Sequence, residues 1–311
     1  MQTALRATFI GMLAPLMWGM SVGLVRGISE DFGYATGLCL MYVAALLFLL
    51  AVLGRPQLRK FSKKYLLLGV GSANISATCF ATSIALSDGG TQTMQVGMVN
   101  YLWPSLTVML AILLTPQKAR WWVFPGFALC LYGIVTVLGG EAGFSPTDFY
   151  NNVLKNPWSY GIALCGAITW SLFNVFTSLW AKGQNPTVIV FTFDLLIFFT
   201  LSMIGADSLT PNASLDPTWR GILSICMAAF TTGAGYLCWS YGAIHGNITL
   251  MAIASYFTPV LSCVFGTLWI GAELTGTFWY GVSFVVAGSL LCWSATQFTK
   301  KETTPSVSTK G

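Results

Sequence analysis

Charged residues are scarce in this chain, and their scarcity excludes most classes of soluble protein. Only 8% of the 311 residues are Asp, Glu, Lys or Arg, whereas 55% are hydrophobic. Soluble globular domains usually carry about a quarter charged residues. The mean hydropathy of +0.70 points the same way. The composition therefore predicts an integral membrane protein.

Metal ligands and catalytic motifs are also few. The single histidine, His245, excludes a site built from several histidines. The eight cysteines lie in apolar stretches and form no C-x-x-C pair, so we interpret them as small buried hydrophobic residues. The chain contains no phosphate-binding loop and no nucleophile-elbow pattern. We therefore predict no cofactor, no metal site, no enzymatic activity and no ATPase module in this chain.

What the chain does have is a series of apolar stretches, each about 20 residues long, which is the length that crosses a bilayer. We predict ten transmembrane helices, at 5–26, 33–53, 64–87, 92–114, 120–139, 158–181, 185–205, 218–244, 248–270 and 275–298. The first stretch could imitate a signal peptide. Its uncharged run, Ala7–Val25, is 19 residues long and no A-x-A site follows, so we interpret it as a spanning helix.

The basic residues indicate which side of the membrane each loop occupies. With a cytoplasmic N-terminus, 12 of the 15 Lys and Arg residues fall in cytoplasmic segments, and only Arg26, Lys155 and Arg220 fall on the other side. The positive-inside rule therefore predicts that both termini are cytoplasmic. Topology alone then accounts for the net charge of +5, so we predict the lipid bilayer as a partner and no nucleic acid.

A weak internal repeat relates the two halves of the chain at an offset of 155 residues. The offset pairs Tyr101 with Tyr256, Pro104 with Pro259, Gly126 with Gly281 and Gly133 with Gly288, and Trp18 lies in a similar place to Trp170. We predict two five-helix repeats at 1–140 and 158–299, an extracytoplasmic linker at 141–157 and a disordered cytoplasmic tail at 300–311.

Five is an odd number, so the second repeat would enter the membrane from the opposite side. Inverted repeats of this kind are typical of secondary transporters, which bind their substrate near the midplane between the repeats. The sequence therefore predicts an all-α membrane protein with two inverted five-helix repeats that works by alternating access. A duplicated fold without a transport role is the alternative.

Three segments carry a resemblance to a known family: "VGMVNYLWPSLT" (96–107), "GNITLMAIASYFTPVLS" (246–262) and "GSLLCW" (288–293). The two halves resemble EamA-type domains of the drug/metabolite transporter superfamily, and these segments are similar to its bacterial aromatic amino-acid exporters. The resemblance covers most of the chain except the tail. It implies export of aromatic and other neutral amino acids across the bacterial inner membrane, with amino acids as the small-molecule partners. It supplies no site residues, so the candidates below rest on chemistry.

Two prolines mark the first candidate residues. Pro104 and Pro259 each remove a backbone donor within an apolar helix and free a carbonyl in the preceding turn. Backbone groups freed at membrane depth are tolerated where protein or a watery cavity satisfies them. We expect helix kinks here, with Asn100, Tyr101 and Tyr256 contacting the charged ends of a substrate. Bending for packing alone is the other interpretation.

Four tryptophans lie deep within predicted spans: Trp18, Trp103, Trp170 and Trp239. A deep tryptophan can stack on an aromatic side chain and donate its N–H. Its ring face can also attract a substrate ammonium, which contributes about 0.5–2 kcal/mol. We therefore expect these four side chains to bind substrate. Packing against lipid is the alternative for each of them.

Polar side chains within spans complete the candidate set. Asn74 and Thr78 form a stripe on one face of the third span, and we expect them to line the substrate site. Asp194 is the only acidic residue that we place within a span, where its charged form is costly. We predict that Asp194 couples transport to protons. It could instead be a neutral acid bonded to a neighbouring helix, or a cap that reaches the interface.

Three other functions stay open at this point. A cavity rich in aromatic residues also suits a broad-specificity drug or metabolite efflux protein of the same fold. An integral membrane enzyme would need a cluster of catalytic side chains, whereas the predicted spans hold one acid and scattered hydroxyls. A passive channel would show flux that neither saturates nor responds to substrate on the opposite side.

Overall fold

The computed structural model describes residues 2–55, 57–116, 118–182, 184–210, 218–245, 251 and 254–302. Long helices dominate these residues, and no strand occurs among them. The helices are α1 (Gln2–Gly19), α2 (Ser21–Phe32), α3 (Tyr34–Leu53), α4 (Gly71–Ala85, continuing a π-helical segment at Tyr65–Val70), α5 (Gly89–Asn100), α6 (Trp103–Leu114), α7 (Val123–Leu138), α8 (Pro146–Lys155), α9 (Pro157–Trp180), α10 (Thr187–Met203), α11 (Trp219–His245), α12 (Thr258–Ile270) and α13 (Gly276–Glu302).

The apolar helices have the lengths that a membrane requires. Within the described residues, six helical stretches are long and apolar enough to cross a bilayer, and the bent pair α1 and α2 makes a seventh. The apolar helices α7, α10 and α12 are shorter. The predicted all-helical membrane fold is thus confirmed. The number of ten spans and the cytoplasmic position of both termini stay predictions.

The ends of the second half differ in detail from the predicted domain bounds. The segment between the halves, predicted as a linker, contains the short helix α8, and the Ser145 side chain caps it by accepting from the N–H of Asp148 at 3.2 Å. At the other end, α13 continues to Glu302, so the first residues of the predicted tail are helical. Residues 303–311, where disorder is predicted, lie outside the described residues.

Glycine brings α7 and α13 into close contact. A Cβ atom placed on Gly133 would lie 2.6 Å from the Gly281 carbonyl oxygen, and one placed on Gly288 would lie 2.6 Å from the Gly126 carbonyl oxygen. Only a residue without a side chain allows the two backbones to approach in this way. These four glycines therefore serve the packing of α7 against α13.

Three interruptions in the helices lie close to predicted site residues. The axes of α1 and α2 meet at Met20 with a bend of 40°. α5 and α6 are separated by a turn at 101–102, and an equivalent turn at 256–257 precedes α12. Pro104 and Pro259 lie in the first turns of α6 and α12. Backbone N–H groups in a first turn have no acceptor within the helix, so a proline there breaks no helical hydrogen bond. Each proline therefore begins a new helix, which differs from the kink expected in a continuous one.

Polar side chains fasten the helix ends to one another. Asp207 accepts from the backbone N–H groups of Ala35 at 2.7 Å and Thr36 at 3.0 Å, and thereby caps the start of α3. Arg26 donates to the Ser87 carbonyl at 2.7 Å, just beyond the end of α4, and pairs with Glu30 at 2.6 Å. These contacts hold the ends of neighbouring helices in fixed positions along the helix axes, including helices that carry the candidate site.

Candidate functional site

Tyr236 on α11 is the centre of an aromatic cluster. Its ring centroid lies 5.4 Å from that of Trp18 on α1, 5.7 Å from that of Phe191 on α10 and 6.5 Å from that of Trp170 on α9. Trp239 belongs to the cluster through Trp18, because the ring centroids of these two residues lie 5.5 Å apart. Edge and tilted contacts at these separations are favourable for aromatic rings. The fold therefore brings together three of the four deep tryptophans around a tyrosine that was not among the predicted site residues.

The indole of Trp18 reaches α11 because a glycine lies opposite it. A Cβ atom on Gly235 would come within 2.6 Å of Trp18 Nε1, so any larger residue would push the ring away. The Trp18 Nε1 atom is buried and has no hydrogen-bond partner in the described part of the chain. An indole nitrogen can only donate, so this buried donor lacks the acceptor that such a group normally has.

Two further polar atoms without a hydrogen bond of normal geometry lie at the end of α5 and in the turn that follows it. Asn100 Oδ1 and the Tyr101 hydroxyl are buried, and neither makes a hydrogen bond of normal geometry to a described residue. The hydroxyls of Ser21 and Ser262 lie beside that of Tyr101. Ser21 itself donates to the Trp18 carbonyl at 2.7 Å. The turn therefore lies next to the bend of α1 and α2, one helical turn beyond Trp18.

Two predicted residues lie away from the aromatic cluster. Tyr256 is buried, and the Cys130 and Cys292 thiols, on α7 and α13, lie within electrostatic range of its hydroxyl. The Trp103 ring makes no ring contact with the cluster among the described residues. Its carbonyl accepts from the Ser171 hydroxyl at 2.9 Å, which ties α6 to the helix that carries Trp170.

Asp194 is buried on α10, with 2% of its surface exposed. The Asn74 side-chain amide donates to its carboxylate at 2.6 Å and to the Val190 carbonyl at 3.0 Å. Tyr42 and Tyr236 lie beside the same carboxylate. This burial, in the interior of the helix, does not fit a cap that reaches the interface, whereas a bond to a neighbouring helix is present. The carboxylate also links the polar stripe of α4 to the aromatic cluster.

Thr78 occupies a different environment from the cluster. Its hydroxyl donates to the Asn74 carbonyl at 2.9 Å on its own helix. Together with Asn74 it lines an open groove of about 460 Å³ between α4 and α10. The apolar side chains of this groove, such as Leu67 at 76% exposure, face outward. Thr78 therefore lies on the surface between two helices, and only Asn74 also reaches inward to Asp194.

The arrangement offers what a zwitterion with an aromatic side chain needs. Trp18 Nε1 and the Tyr101 hydroxyl can donate to a carboxylate, whereas Asn100 Oδ1 can accept from an ammonium group. The rings around Tyr236 provide an apolar surface for the side chain. No group of three or more metal-ligating side chains occurs in the described residues.

Sequence signals could not have identified Tyr236 as the centre. It lies in a polar stripe with Thr232 on α11, but a stripe does not show which side chains of α1, α9 and α10 face it. Its position follows from the rotation of four helices about their axes, which depends on contacts distant in sequence.

Comparisons with known proteins identify the group of proteins that this chain resembles. Residues 157–294 match the sequence profile described as the EamA-like transporter family. The chain is 38% identical over 298 residues to the aromatic amino acid exporter YddG of Salmonella typhimurium, covering 95% of this chain and 99% of that protein. It is 39% identical over 295 residues to the protein of the same name from Escherichia coli, with the same coverage.

A third similarity is more distant. The chain is 26% identical over 199 residues to the aromatic amino acid exporter YddG of Ancylobacter novellus, which covers 63% of this chain and 65% of that protein. A solved crystal structure of a protein with 19% identity superposes with a TM-score of 0.62 and covers 95% of this chain and 99% of the other. This last likeness concerns the fold alone.

Proposed function

The chain belongs to the EamA-like transporter family and is a multi-pass protein of the bacterial inner membrane, and we propose that it exports aromatic amino acids from the cytoplasm. Relatives 38% and 39% identical over nearly their whole length bear the name of aromatic amino acid exporters. We extend the proposal to other neutral amino acids, because the polar groups near the cluster address the charged ends that all amino acids share.

The observation that carries this proposal is the ring cluster around Tyr236. Trp18 and Trp170 approach its ring from two different helices, with centroids 5.4 Å and 6.5 Å away. A substrate ring inserted here would replace ring contacts within the cluster by ring contacts between the cluster and the substrate. Each such contact contributes about 0.5–1.5 kcal/mol, which is enough for selectivity and weak enough for release.

The charged ends of the substrate would bind at the turn of α5 and α6. We assign the carboxylate to Trp18 Nε1 and the Tyr101 hydroxyl, and the ammonium to Asn100 Oδ1, because these buried atoms make no hydrogen bond of normal geometry to a described residue. Trp103 would position α6 through the bond of its carbonyl to Ser171. In our proposal Tyr256 lines the corresponding turn of the second half.

The transport mechanism that we propose is alternating access between two inverted five-helix repeats, 1–140 and 158–299, with both termini cytoplasmic. The helix turns at 101–102 and 256–257 are 155 residues apart, the same offset as the sequence repeat. This spacing supports two matching broken helices, one in each repeat.

The contact between α7 and α13 supports the same symmetry. Gly126 faces Gly288 and Gly133 faces Gly281, whereas the sequence offset relates Gly126 to Gly281 and Gly133 to Gly288. Replacing each glycine by the one that the sequence offset relates it to turns the contact of Gly126 with Gly288 into the contact of Gly281 with Gly133. This is the pattern expected across a two-fold axis.

Asp194 is our candidate for proton coupling. Its carboxylate is buried, accepts from Asn74 and lies between α4 and α10, which belong to different repeats. Movement of the repeats relative to each other would change the access of water to this carboxylate, so that protonation and conformation would be linked.

The test is counterflow in proteoliposomes loaded with unlabelled amino acid, with Tyr236→Ala as the variant. We expect saturable exchange of phenylalanine in the wild type. Loss of about one strong ring contact should raise the half-saturation concentration of phenylalanine by roughly tenfold, because tenfold corresponds to about 1.4 kcal/mol. The half-saturation concentration of threonine should change less, since threonine has no ring.

The matched control is Tyr280→Ala, because Tyr280 is a tyrosine of α13 with 69% exposure. This variant should exchange phenylalanine like the wild type. Exchange of a cationic dye in place of any amino acid would favour broad-specificity efflux. Flux that does not saturate would favour a passive channel, and either result would contradict the proposal.

A further inference from the structure

Two buried polar atoms lie apart from the aromatic cluster, near the N-terminal end of α11. Ser224 Oγ and Trp269 Nε1 have no hydrogen-bond partner within the part of the chain that the structure describes. Ser224 is fully buried, at 0% exposure. Native proteins pair nearly all buried polar groups, and a group that stays unpaired calls for a specific explanation.

The two atoms face the same point on α2. A Cβ atom placed on Gly27 would lie 3.0 Å from Ser224 Oγ and 3.4 Å from Trp269 Nε1. Three helices, α2, α11 and α12, therefore converge on a glycine, and the side chains of two of them place polar atoms against its backbone. A larger residue at position 27 would crowd this space.

A positive charge lies at the same place. Arg220 precedes Ser224 by four residues on α11, so the two side chains share a helix face. The Arg220 guanidinium carbon lies 5.4 Å from the centroid of the Trp269 ring. Arg220 is exposed and, among the described residues, has no carboxylate within ion-pair distance. The nearby Asp31 carboxylate instead accepts from the Thr218 hydroxyl.

These groups form a set of donors. An indole nitrogen and a guanidinium can only donate hydrogen bonds, and a serine hydroxyl can donate as well. A planar anion with two acceptor oxygens complements such a set, and arginine is well suited to it. We propose that Ser224, Trp269 and Arg220 form a binding subsite for a carboxylate at the extracytoplasmic end of the transport path. The subsite lies 12 residues from Tyr236 on α11, or about 18 Å.

The source of the carboxylate follows from the proposed export of amino acids, on which this part of the inference rests. A substrate that leaves the aromatic cluster would have its carboxylate held here before release. The Asp31 carboxylate lies against Gly221 beside these donors, so it offers an acceptor to the ammonium group but opposes a bound carboxylate, and we expect the subsite to bind weakly. It would also capture amino acids that arrive from outside during exchange.

Direct binding tests the subsite without transport. The melting temperature of the purified full-length protein would be measured against increasing acetate, chloride or acetamide. We expect acetate to raise it, and acetamide, which carries no charge, to leave it unchanged. Ser224→Ala and Trp269→Phe should lose at least half of the shift, because each removes one donor. Gly27→Ala should do the same by crowding the space while all donors remain.

Two control variants should respond to acetate like the wild type. Trp219→Phe changes an exposed tryptophan near the same helix end, and Gly161→Ala adds a methyl group where no atom lies within 4 Å. An unchanged shift in the three site variants, or an equal shift with acetamide, would overturn the proposal. An equal shift of the melting temperature with chloride would show that these donors bind inorganic anions equally well, and it would overturn the choice of a carboxylate.

Exchange measured from each side separates the subsite from the central site. In oriented proteoliposomes, Trp269→Phe should raise the half-saturation concentration of phenylalanine severalfold on the extracytoplasmic face and leave the cytoplasmic value unchanged. Equal changes on both faces would contradict a subsite at one end. If the wild type exchanges no amino acid, the proposed function fails, and the acetate titration still decides whether the subsite exists.

Discussion

Asp194 is a single carboxylate whose removal should change transport without changing the fold. In Asp194→Asn the new side-chain oxygen can still accept from the Asn74 amide, which now donates to the carboxylate at 2.6 Å. The variant has no group that titrates at this position, so we expect its export to proceed but to lose the pH dependence of the wild type. Counterflow of phenylalanine at a series of pH values would measure this.

The control for this variant is Asp88→Asn, which changes an exposed carboxylate outside the spans. It should keep the wild-type pH profile. Other groups that face Asp194 are the hydroxyls of Tyr42 on α3 and Tyr236 on α11. A wild-type pH profile in Asp194→Asn would remove the carboxylate from the coupling mechanism and leave it a structural acceptor for Asn74.

The chemistry of single residues explains which candidates the sequence could single out. An acid in an apolar stretch is conspicuous because its burial is costly, so Asp194 could be recognised without a structure. Trp18 and Trp170 stood out through their similar places in the two halves. That Tyr236 lies between them, while the Tyr256 hydroxyl lies within electrostatic range of the Cys130 thiol, depends on how the helices are rotated, and no local pattern encodes that rotation.

The contact between α7 and α13 should be sensitive to a single methyl group. In Gly133→Ala the added carbon would lie 2.6 Å from the Gly281 carbonyl oxygen and 2.8 Å from the Val285 backbone nitrogen, so the helices must separate. Overpacking of this kind costs about 1–3 kcal/mol. We therefore expect Gly133→Ala to melt at a lower temperature than the wild type in detergent. The loss of the monodisperse peak in size-exclusion chromatography after heating would measure this.

Gly161→Ala provides the comparison for this loss. Position 161 lies on α9, and no atom of the described residues comes within 4 Å of the added carbon. Alanine favours a helix over glycine by up to about 1 kcal/mol. The melting temperature of this variant should therefore equal or exceed that of the wild type. If Gly133→Ala melted at the same temperature as Gly161→Ala, the close glycine contact would not be a source of stability.

Helices were predictable to the extent that their signals are local. Apolar length indicated the spans, and Pro104 marked the interruption that separates α5 from α6. Pro15, in contrast, lies inside α1, whereas the bend falls five residues later at Met20, between Gly19 and Ser21. Helix α8 was missed because it is short and amphipathic. Its Ser145 cap and Pro146 are ordinary start signals that a search for apolar stretches does not register.

For the whole molecule, alternating access requires that the two ends of the transport path open in turn. In the proposed orientation, the start of α5 and the end of α12 lie at the extracytoplasmic end. They are connected there through the residues that follow α12: the Thr91 hydroxyl donates to the Glu273 carbonyl at 3.1 Å. Because α5 and α12 belong to different repeats, release of substrate to the outside would require this contact to separate.

A disulfide across this contact should stop transport reversibly. A Cβ atom on Gly90 would lie 3.5 Å from the Ala272 Cβ atom, which is within the range of disulfides, about 3.5–4.5 Å. In the double variant Gly90→Cys and Ala272→Cys, oxidation should therefore join α5 to α12 and abolish counterflow, and reduction should restore it. Gel mobility after cleavage between the repeats would measure the extent of crosslinking.

Each single variant and the wild type, with its eight native cysteines, serve as controls under the same oxidant. They should exchange amino acids normally, because none can form the bond between α5 and α12. The result discriminates between mechanisms because a passive pore need not separate these helices, whereas alternating access must. Undiminished counterflow in fully crosslinked protein would therefore exclude opening between α5 and α12, and with it the proposed motion of the two repeats.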